Sequence, residues 1–269
     1  MALSGTVGFL GFGNMGGAIL RGLIGTRTIT ADRALVYDVL EDKRAAAADL
    51  GVAVASSPQD LARACNTVVL AVKPQSMADA LEQMKPGFSP NTLIVTIAAG
   101  ISSGYIQERL GADARVVRVM PNTPALVNTG AAGIAVSGNC TKDDAATART
   151  IFESIGIAET MPEALIDAVT ALSGSGPAYF FYMVECLVQA ATAHGLDADQ
   201  ATRLAAQTVL GAGRLMLESG EAPSVLRERV TSKGGTTAAA LEAFRAGGFE
   251  RLIASGIDAA VARAKELGQ

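Results

Sequence analysis

Two stretches of this 269-residue chain carry residue types and spacings that could do chemistry. The first, Gly11-Phe12-Gly13-Asn14-Met15-Gly16, fits G-x-G-x-x-G directly after an apolar run. In that pattern Gly11 permits a tight turn, Gly13 lets the backbone approach a pyrophosphate, and Gly16 lets the following helix pack on the strand before it. The alternative is a glycine-rich turn with no ligand. The second stretch, Ser232-Lys233-Gly234-Gly235-Thr236-Thr237, runs into an Ala/Leu helix pattern. The first amides of a helix have no intrahelical partner, so a helix mouth is an anion site. This one also carries hydroxyls that can give or take a proton. The alternative is a plain helix start with Thr236 as N-cap.

Further candidates stand at the ends of apolar runs, where ligands of open α/β sheets collect. Asp38 lies 22 residues beyond Gly16. An acid there binds the adenosine ribose hydroxyls of NAD and repels the 2′-phosphate of NADP, so NADH is expected to serve at least as well as NADPH. Lys43 and Arg44 are the nearby cations that could favour the phosphate instead. The backbone of Ala71-Val72-Lys73-Pro74 is placed to line the nicotinamide ribose, with Lys73 either reaching the ribose or phosphate or simply solvated. Ala98-Ala99-Gly100 leaves room for a flat ring. Asn122, within Met120-Pro121-Asn122-Thr123-Pro124-Ala125, either hydrogen-bonds the carboxamide or substrate, or belongs to a turn made rigid by two prolines.

The positions that would hold these residues follow from periodicity. Thr6–Leu10, Ala34–Tyr37, Thr67–Val72 and Thr92–Ala98 are near-continuous apolar strands, separated by helical patterns over Asn14–Ile24, Asp42–Leu50, Pro58–Cys65 and Ser76–Met84. Such runs indicate a parallel sheet covered on both faces. After Pro162 the strand signal stops, and helices are expected over Glu163–Leu172, Pro177–His194, Asp197–Glu218, Ala222–Val230, Thr237–Ala246 and Phe249–Leu267. The expected fold is therefore α/β: a Rossmann-type doubly wound sheet over residues 1–161, then an all-α domain over residues 162–269.

Composition narrows the function further. The net charge is −4, with 18% charged residues interspersed and no basic patch, which argues against nucleic acid as a partner. Cys65, Cys140 and Cys186 are far apart and odd in number, as in reduced cytosolic proteins. The glycine-interrupted N-terminus lacks the basic start of a signal peptide. The apolar Pro177–His194 stretch is marginal as a membrane span. It is better read as a helix buried in a core or a subunit interface, which points to a homodimer. No H-E-x-x-H and no Cys/His metal spacing occurs, so no metal is expected. The single histidine, His194, stands at a helix end, where a cation complements the dipole. The β-hydroxyacid dehydrogenases share a similar glycine fingerprint but carry a catalytic lysine on the first long helix of their second domain; Glu163–His194 contains no lysine.

Over nearly its whole length the chain resembles the pyrroline-5-carboxylate reductase family. The resemblance rests on Gly8–Gly16, Ala71–Pro74, Met120–Ala125, Leu172-Ser173-Gly174-Ser175-Gly176-Pro177-Ala178-Tyr179 and Ser232–Thr237. The family often has proline where Lys233 stands. The resemblance implies reduction of Δ1-pyrroline-5-carboxylate to proline by NADPH or NADH. It also implies that the amides of Gly234, Gly235, Thr236 and Thr237 hold the substrate carboxylate, and that Thr237 hydrogen-bonds the ring nitrogen and helps deliver a proton. Val230 and Ser232 would line the substrate pocket. Ser175 would face the active site, or else belong only to a tight helix–helix turn. Helical domains would interleave in a dimer, each active site combining one subunit's nucleotide domain with the partner's Thr237 loop, and dimers would form a larger ring. The alternatives are a reductase of another cyclic imine or of a hydroxy acid, and a non-catalytic nucleotide-binding protein.

Overall fold

The computed structural model describes residues 3–268. The chain forms two compact units: residues up to Ser175 together with those from Ala260 on, and Gly176–Ala259.

The first unit is built on an eight-stranded sheet of β1 (Val7–Leu10), β2 (Ala34–Tyr37), β3 (Ala53–Val54), β4 (Thr67–Leu70), β5 (Leu93–Thr96), β6 (Arg115–Met120), β7 (Gly130–Val136) and β8 (Gly156–Thr160). Their order is β3-β2-β1-β4-β5-β6-β7-β8. All neighbours run parallel except β6 and β7. The helices α1 (Asn14–Gly25), α2 (Glu41–Ala48), α3 (Pro58–Ala64), α4 (Met77–Met84), α5 (Ser103–Leu110) and α6 (Lys142–Glu153) alternate with the strands. The doubly wound expectation therefore holds.

The apolar strands have no polar face because successive side chains enter two different cores. Phe9, Val69, Val95 and Val117 pack with Ile19, Leu23, Ile151 and Phe152 in one. Leu10, Val68, Leu70, Ile94 and Val116 pack with Leu61, Met77, Leu81 and Ile106 in the other. Local sequence sets the helix starts: Ser57 caps α3 by accepting from the Asp60 N–H, with Pro58 in its first turn, and Thr141 and Asp144 form a reciprocal capping box on α6. Burial raises the Cys65 thiol to about 12, which keeps it protonated and unreactive.

The segment after β8 is helical from Glu163 to Gly174, as expected, but its winding changes along the way. A short turn at Glu163–Leu165 leads into α7 (Ile166–Val169) and then a widened turn, Thr170–Gly174, closed by the Ser175 N–H donating to the Thr170 carbonyl at 2.8 Å. This helical run packs closely on the sheet. A Cβ on Gly174 would lie 2.7 Å from Met120 Cε, and one on Gly133 would lie 2.8 Å from Val169. Residue 162 thus marks the end of the strands, whereas the compact units divide at Ser175 and Gly176.

The second unit holds α8 (Gly176–Ala193), α9 (Ala198–Ser219), α10 (Pro223–Arg229), α11 (Thr236–Ala246) and most of α12 (Phe249–Leu267). Asp197 caps α9 by accepting from the amides of Asp199 and Gln200. Within one chain α8 is not buried: Phe180, Phe181 and Tyr182 are 60–68% exposed. Clustered apolar surface of this kind marks an interaction face. Among the described residues no helix is long and apolar enough to cross a membrane.

Candidate active site

The parallel register brings the carboxyl ends of five strands to one edge. Leu10 lies opposite Tyr37 and Leu70, Leu70 opposite Thr96, and Thr96 opposite Arg118 near the end of β6. Gly11, Asp38, Ala71, Ala98 and Met120 therefore emerge together. The glycines divide by what a side chain would meet. A Cβ on Gly11 would lie 2.7 Å from the Ala71 carbonyl oxygen, and one on Gly16 would lie 2.7 Å from that of Gly11. Both are required by the turn itself. A Cβ on Gly13 would meet nothing within 4 Å, so the chain does not demand glycine there. A ligand approaching the backbone would. Phe12, Asn14 and Met15 complete this loop, and the first amides of α1 open beside it. The residues fit the pyrophosphate of a dinucleotide.

Asp38 does more than end β2. Its Oδ2 accepts from the Phe12 N–H at 2.6 Å and its Oδ1 from the Leu40 N–H at 2.9 Å. It therefore braces the glycine loop while keeping lone pairs for ribose hydroxyls. Arg44 Nη1 donates to the backbone carbonyls of Asp38 and Val39 at 2.7 and 3.1 Å, so its cation lies on the same turn. Lys43 pairs with Asp42 at 3.6 Å. Val39 and Leu40 are exposed beside Asp38; the sequence reading had passed over them, although two apolar residues next to a strand-end acid are a signal.

At the next strand ends, Ala71 and Val72 are half-buried and Lys73 and Pro74 exposed. Ala98 to Ile101 form a turn, with the Ile101 N–H donating to the Ala98 carbonyl at 3.3 Å. Gly100 has φ +76°, and a Cβ there would lie 2.5 Å from the Leu267 carbonyl oxygen at the end of α12. Ala99 is thus presented on a turn held from both sides. Asn122 is buried, and its Oδ1 accepts from the Ala131 N–H at 2.8 Å. That bond commits the side-chain carbonyl to the structure and leaves Nδ2 as the group available to a ligand. Ser175 is half-buried, at the end of the widened turn packed on Met120.

Val230–Thr237 belong to the second unit. Arg229 forks onto the Glu221 carboxylate at 2.5 Å through both terminal nitrogens, which steadies the approach to Val230. Ser232 to Gly235 then form a turn closed by the Gly235 N–H donating to the Ser232 carbonyl at 3.0 Å, with Gly234 at φ +74°. This is the type II pattern, which requires a left-handed third residue and favours proline at the second. Lys233 occupies that second position, with its side chain exposed. A Cβ on Gly235 would lie 2.3 Å from Ser232 Oγ.

Two expectations are corrected here. The N-cap of α11 is Gly235, not Thr236, and no side chain caps the helix. Also, the Gly235 amide is not free for an anion, because the turn consumes it. The open amides are those of Thr236, Thr237 and Ala238, the first three helical residues. Ala238 had been overlooked because its side chain carries no chemistry; its backbone position does.

Two family models match the chain. "Pyrroline-5-carboxylate reductase dimerisation" covers residues 163–267, and "NADP oxidoreductase coenzyme F420-dependent" covers residues 6–100. The pyrroline-5-carboxylate reductase of Methanosarcina acetivorans is 38% identical over 98% of both chains. The structure of a pyrroline-5-carboxylate reductase from Coxiella burnetii superposes with a TM-score of 0.94 at 36% identity, covering 99% of this chain and 100% of that one. That of the Plasmodium falciparum pyrroline carboxylate reductase with NADP bound gives 0.88 at 30% identity over the whole of both chains. Likeness on this scale spans both the nucleotide edge and the α11 mouth, and the chain belongs to the pyrroline-5-carboxylate reductase family.

Proposed function

We infer that this chain reduces Δ1-pyrroline-5-carboxylate to proline with NAD(P)H, the last step of proline biosynthesis. The observation that carries the reading is the 38% identity over 98% of both chains, which leaves neither half of the site unmatched. When bound, the reduced nicotinamide supplies a hydride, and the imine carbon accepts it. The chain's own residues do the rest. The amides of Thr236, Thr237 and Ala238 hold the substrate carboxylate, helped by the positive end of α11. The Thr237 hydroxyl hydrogen-bonds the ring nitrogen, which must carry one proton for charge to balance. Val230 and Ser232 flank the substrate, and Asn122 Nδ2 and Ser175 serve the nicotinamide end. A protonated imine is already electrophilic, so orientation supplies much of the rate.

The exposed apolar face of α8 and the match to a dimerisation model support a homodimer; that dimers join into a larger ring, in the cytoplasm, is what the family resemblance implies. Light scattering that finds an active monomer would contradict this assembly. The activity itself is tested by following NADH and NADPH oxidation with pyrroline-5-carboxylate; no turnover with either cofactor overturns the reading.

Cofactor choice rests on Asp38. NADH should serve at least as well as NADPH, because the carboxylate faces the ribose end and repels a 2′-phosphate. Asp38→Ser should raise the NADPH-to-NADH ratio of kcat/KM by about tenfold, roughly 1.4 kcal/mol. Initial rates with both cofactors check it, and an unmoved ratio means another residue reads the ribose.

A further inference from the structure

Sixty residues from the β5 turn, a carboxylate reaches back to hold it. Glu163 Oε1 accepts from the Ser103 N–H at 2.9 Å, and Oε2 accepts from the Ser103 hydroxyl. Ser103 is the first residue of α5 and is buried. Its amide is one of the orphan donors that every helix start leaves. The N-cap, Ser102, satisfies only the Tyr105 amide. Glu163 therefore completes the cap from outside the helix. Glu163 is fixed in turn by Arg118, a β6 side chain only 11% exposed, whose Nη1 lies 3.4 Å from Glu163 Oε1. Nη2 of the same guanidinium lies 3.5 Å from Asp167 Oδ1.

Ser103 follows directly on the Ala98–Ile101 turn. That turn is tied at its start by the Ala98 N–H donating to Thr96 Oγ1 at 3.3 Å, and at its middle by the close approach of Leu267 to Gly100. Its far end is tied through Ser103 to Glu163. The network therefore fixes the backbone that the carboxyl end of β5 offers to a ligand, and a buried arginine anchors the half-buried glutamate that does so.

We propose that Glu163 is a positioning residue for hydride transfer, holding the Ala98–Gly100 backbone in place through Ser103. The proposal rests on the functional reading above, together with the expectation that the small residues Ala98–Gly100 leave room for the nicotinamide ring. Misplacing a reacting ring by an ångström costs on the order of a hundredfold in rate. Glu163→Ala should therefore lower kcat by about 10- to 100-fold and raise the deuterium isotope effect seen with C4-deuterated NADH. It should weaken NADH binding while leaving the affinity for ADP-ribose, which lacks the nicotinamide, unchanged. Glu163→Gln keeps the bond from the Ser103 amide and can replace the hydroxyl bond only with its amide nitrogen donating to Ser103 Oγ. It also loses the charge that Arg118 pairs with, so its effects should be smaller and in the same direction. Ser103→Ala probes the hydroxyl bond alone and keeps the amide bond, again with a smaller effect. Asp167→Asn loosens Arg118 without touching Glu163 or Ser103, so its effects should be in the same direction and smaller than those of Glu163→Gln.

Wild-type kcat and isotope effect in Glu163→Ala would overturn the proposal. So would equal loss of NADH and ADP-ribose affinity, which is what general destabilisation gives. If Glu163→Ala does not fold, the Gln and Ser103 variants carry the same comparison. A wild-type protein that turns over no pyrroline-5-carboxylate defeats the functional reading instead, and the paired NADH and ADP-ribose affinities still decide the role of Glu163.

Discussion

Gly13→Val should weaken NAD(P)H binding by about a hundredfold or more, roughly 2.7 kcal/mol, while the protein stays folded. Gly13 has φ −73° and ψ −166°, a conformation open to any residue. A Cβ there meets no protein atom within 4 Å. The chain itself pays only for the poorer N-cap of α1, about 1 kcal/mol. What the valine fills is the space through which a pyrophosphate would meet the helix amides. Fluorescence titration with NADH and a thermal melt on the same sample check the two halves. The comparison with Gly16→Ala is informative. Its Cβ would lie 2.7 Å from the Gly11 carbonyl oxygen and 3.1 Å from Ala71 Cβ, so that variant should lose stability along with binding. A Gly13→Val protein that binds NADH normally would remove the glycine loop from the cofactor site.

Thr237→Ala should lower kcat by about 10- to 100-fold, within the range for a positioned proton donor. The substitution removes a hydroxyl from the second residue of α11 and leaves the three open amides in place, so KM for the imino acid should change far less than kcat. Alanine is also the better helix former, and the loss would not come from unfolding. Thr237→Ser restores the hydroxyl and should restore most of the rate. Steady-state kinetics on the pair decides the matter: an unchanged kcat in the alanine variant takes Thr237 out of proton delivery.

Much of the fold was legible because it is written in local patterns. Ala34–Tyr37 and Phe249–Leu267 were read with the bounds they have in the structure, the first from an apolar run that two cores require, the second from a long amphipathic period. The glycine fingerprint was legible because its demands are partly local: Gly11 takes φ +97° and Gly16 lies against the Gly11 carbonyl, although the Ala71 backbone that also crowds Gly11 comes from the neighbouring strand. What stayed hidden depends on distant partners. Nothing near Asn122 announces that Ala131 will take its side-chain carbonyl. Nothing near Glu163 announces Ser103. The helix expected over Glu163–Leu172 is there, but its widening at Thr170–Gly174, where Gly174 lies against Met120, is not something helical periodicity encodes. Thr236 as a cap was one of two readings open at that stretch, on its residue type, yet the cap position goes to the glycine before it, since the turn ahead of α11 ends one residue sooner.

The turn at Ser232–Gly235 has a consequence for how firmly the substrate end is held. Proline at its second position would have confined the chain before folding. Lysine leaves that freedom to be lost on closure, so the loop is held shut by one 3.0 Å hydrogen bond and the φ of Gly234. Its local opening is therefore inexpensive, and the Gly235 amide should exchange with deuterium far faster than those inside α11. Lys233→Pro should slow that exchange and add about 0.4–1 kcal/mol of stability, read by denaturant unfolding. If this loop holds the imino acid as proposed, lysine would make it a latch that opens on its own, suited to letting product go.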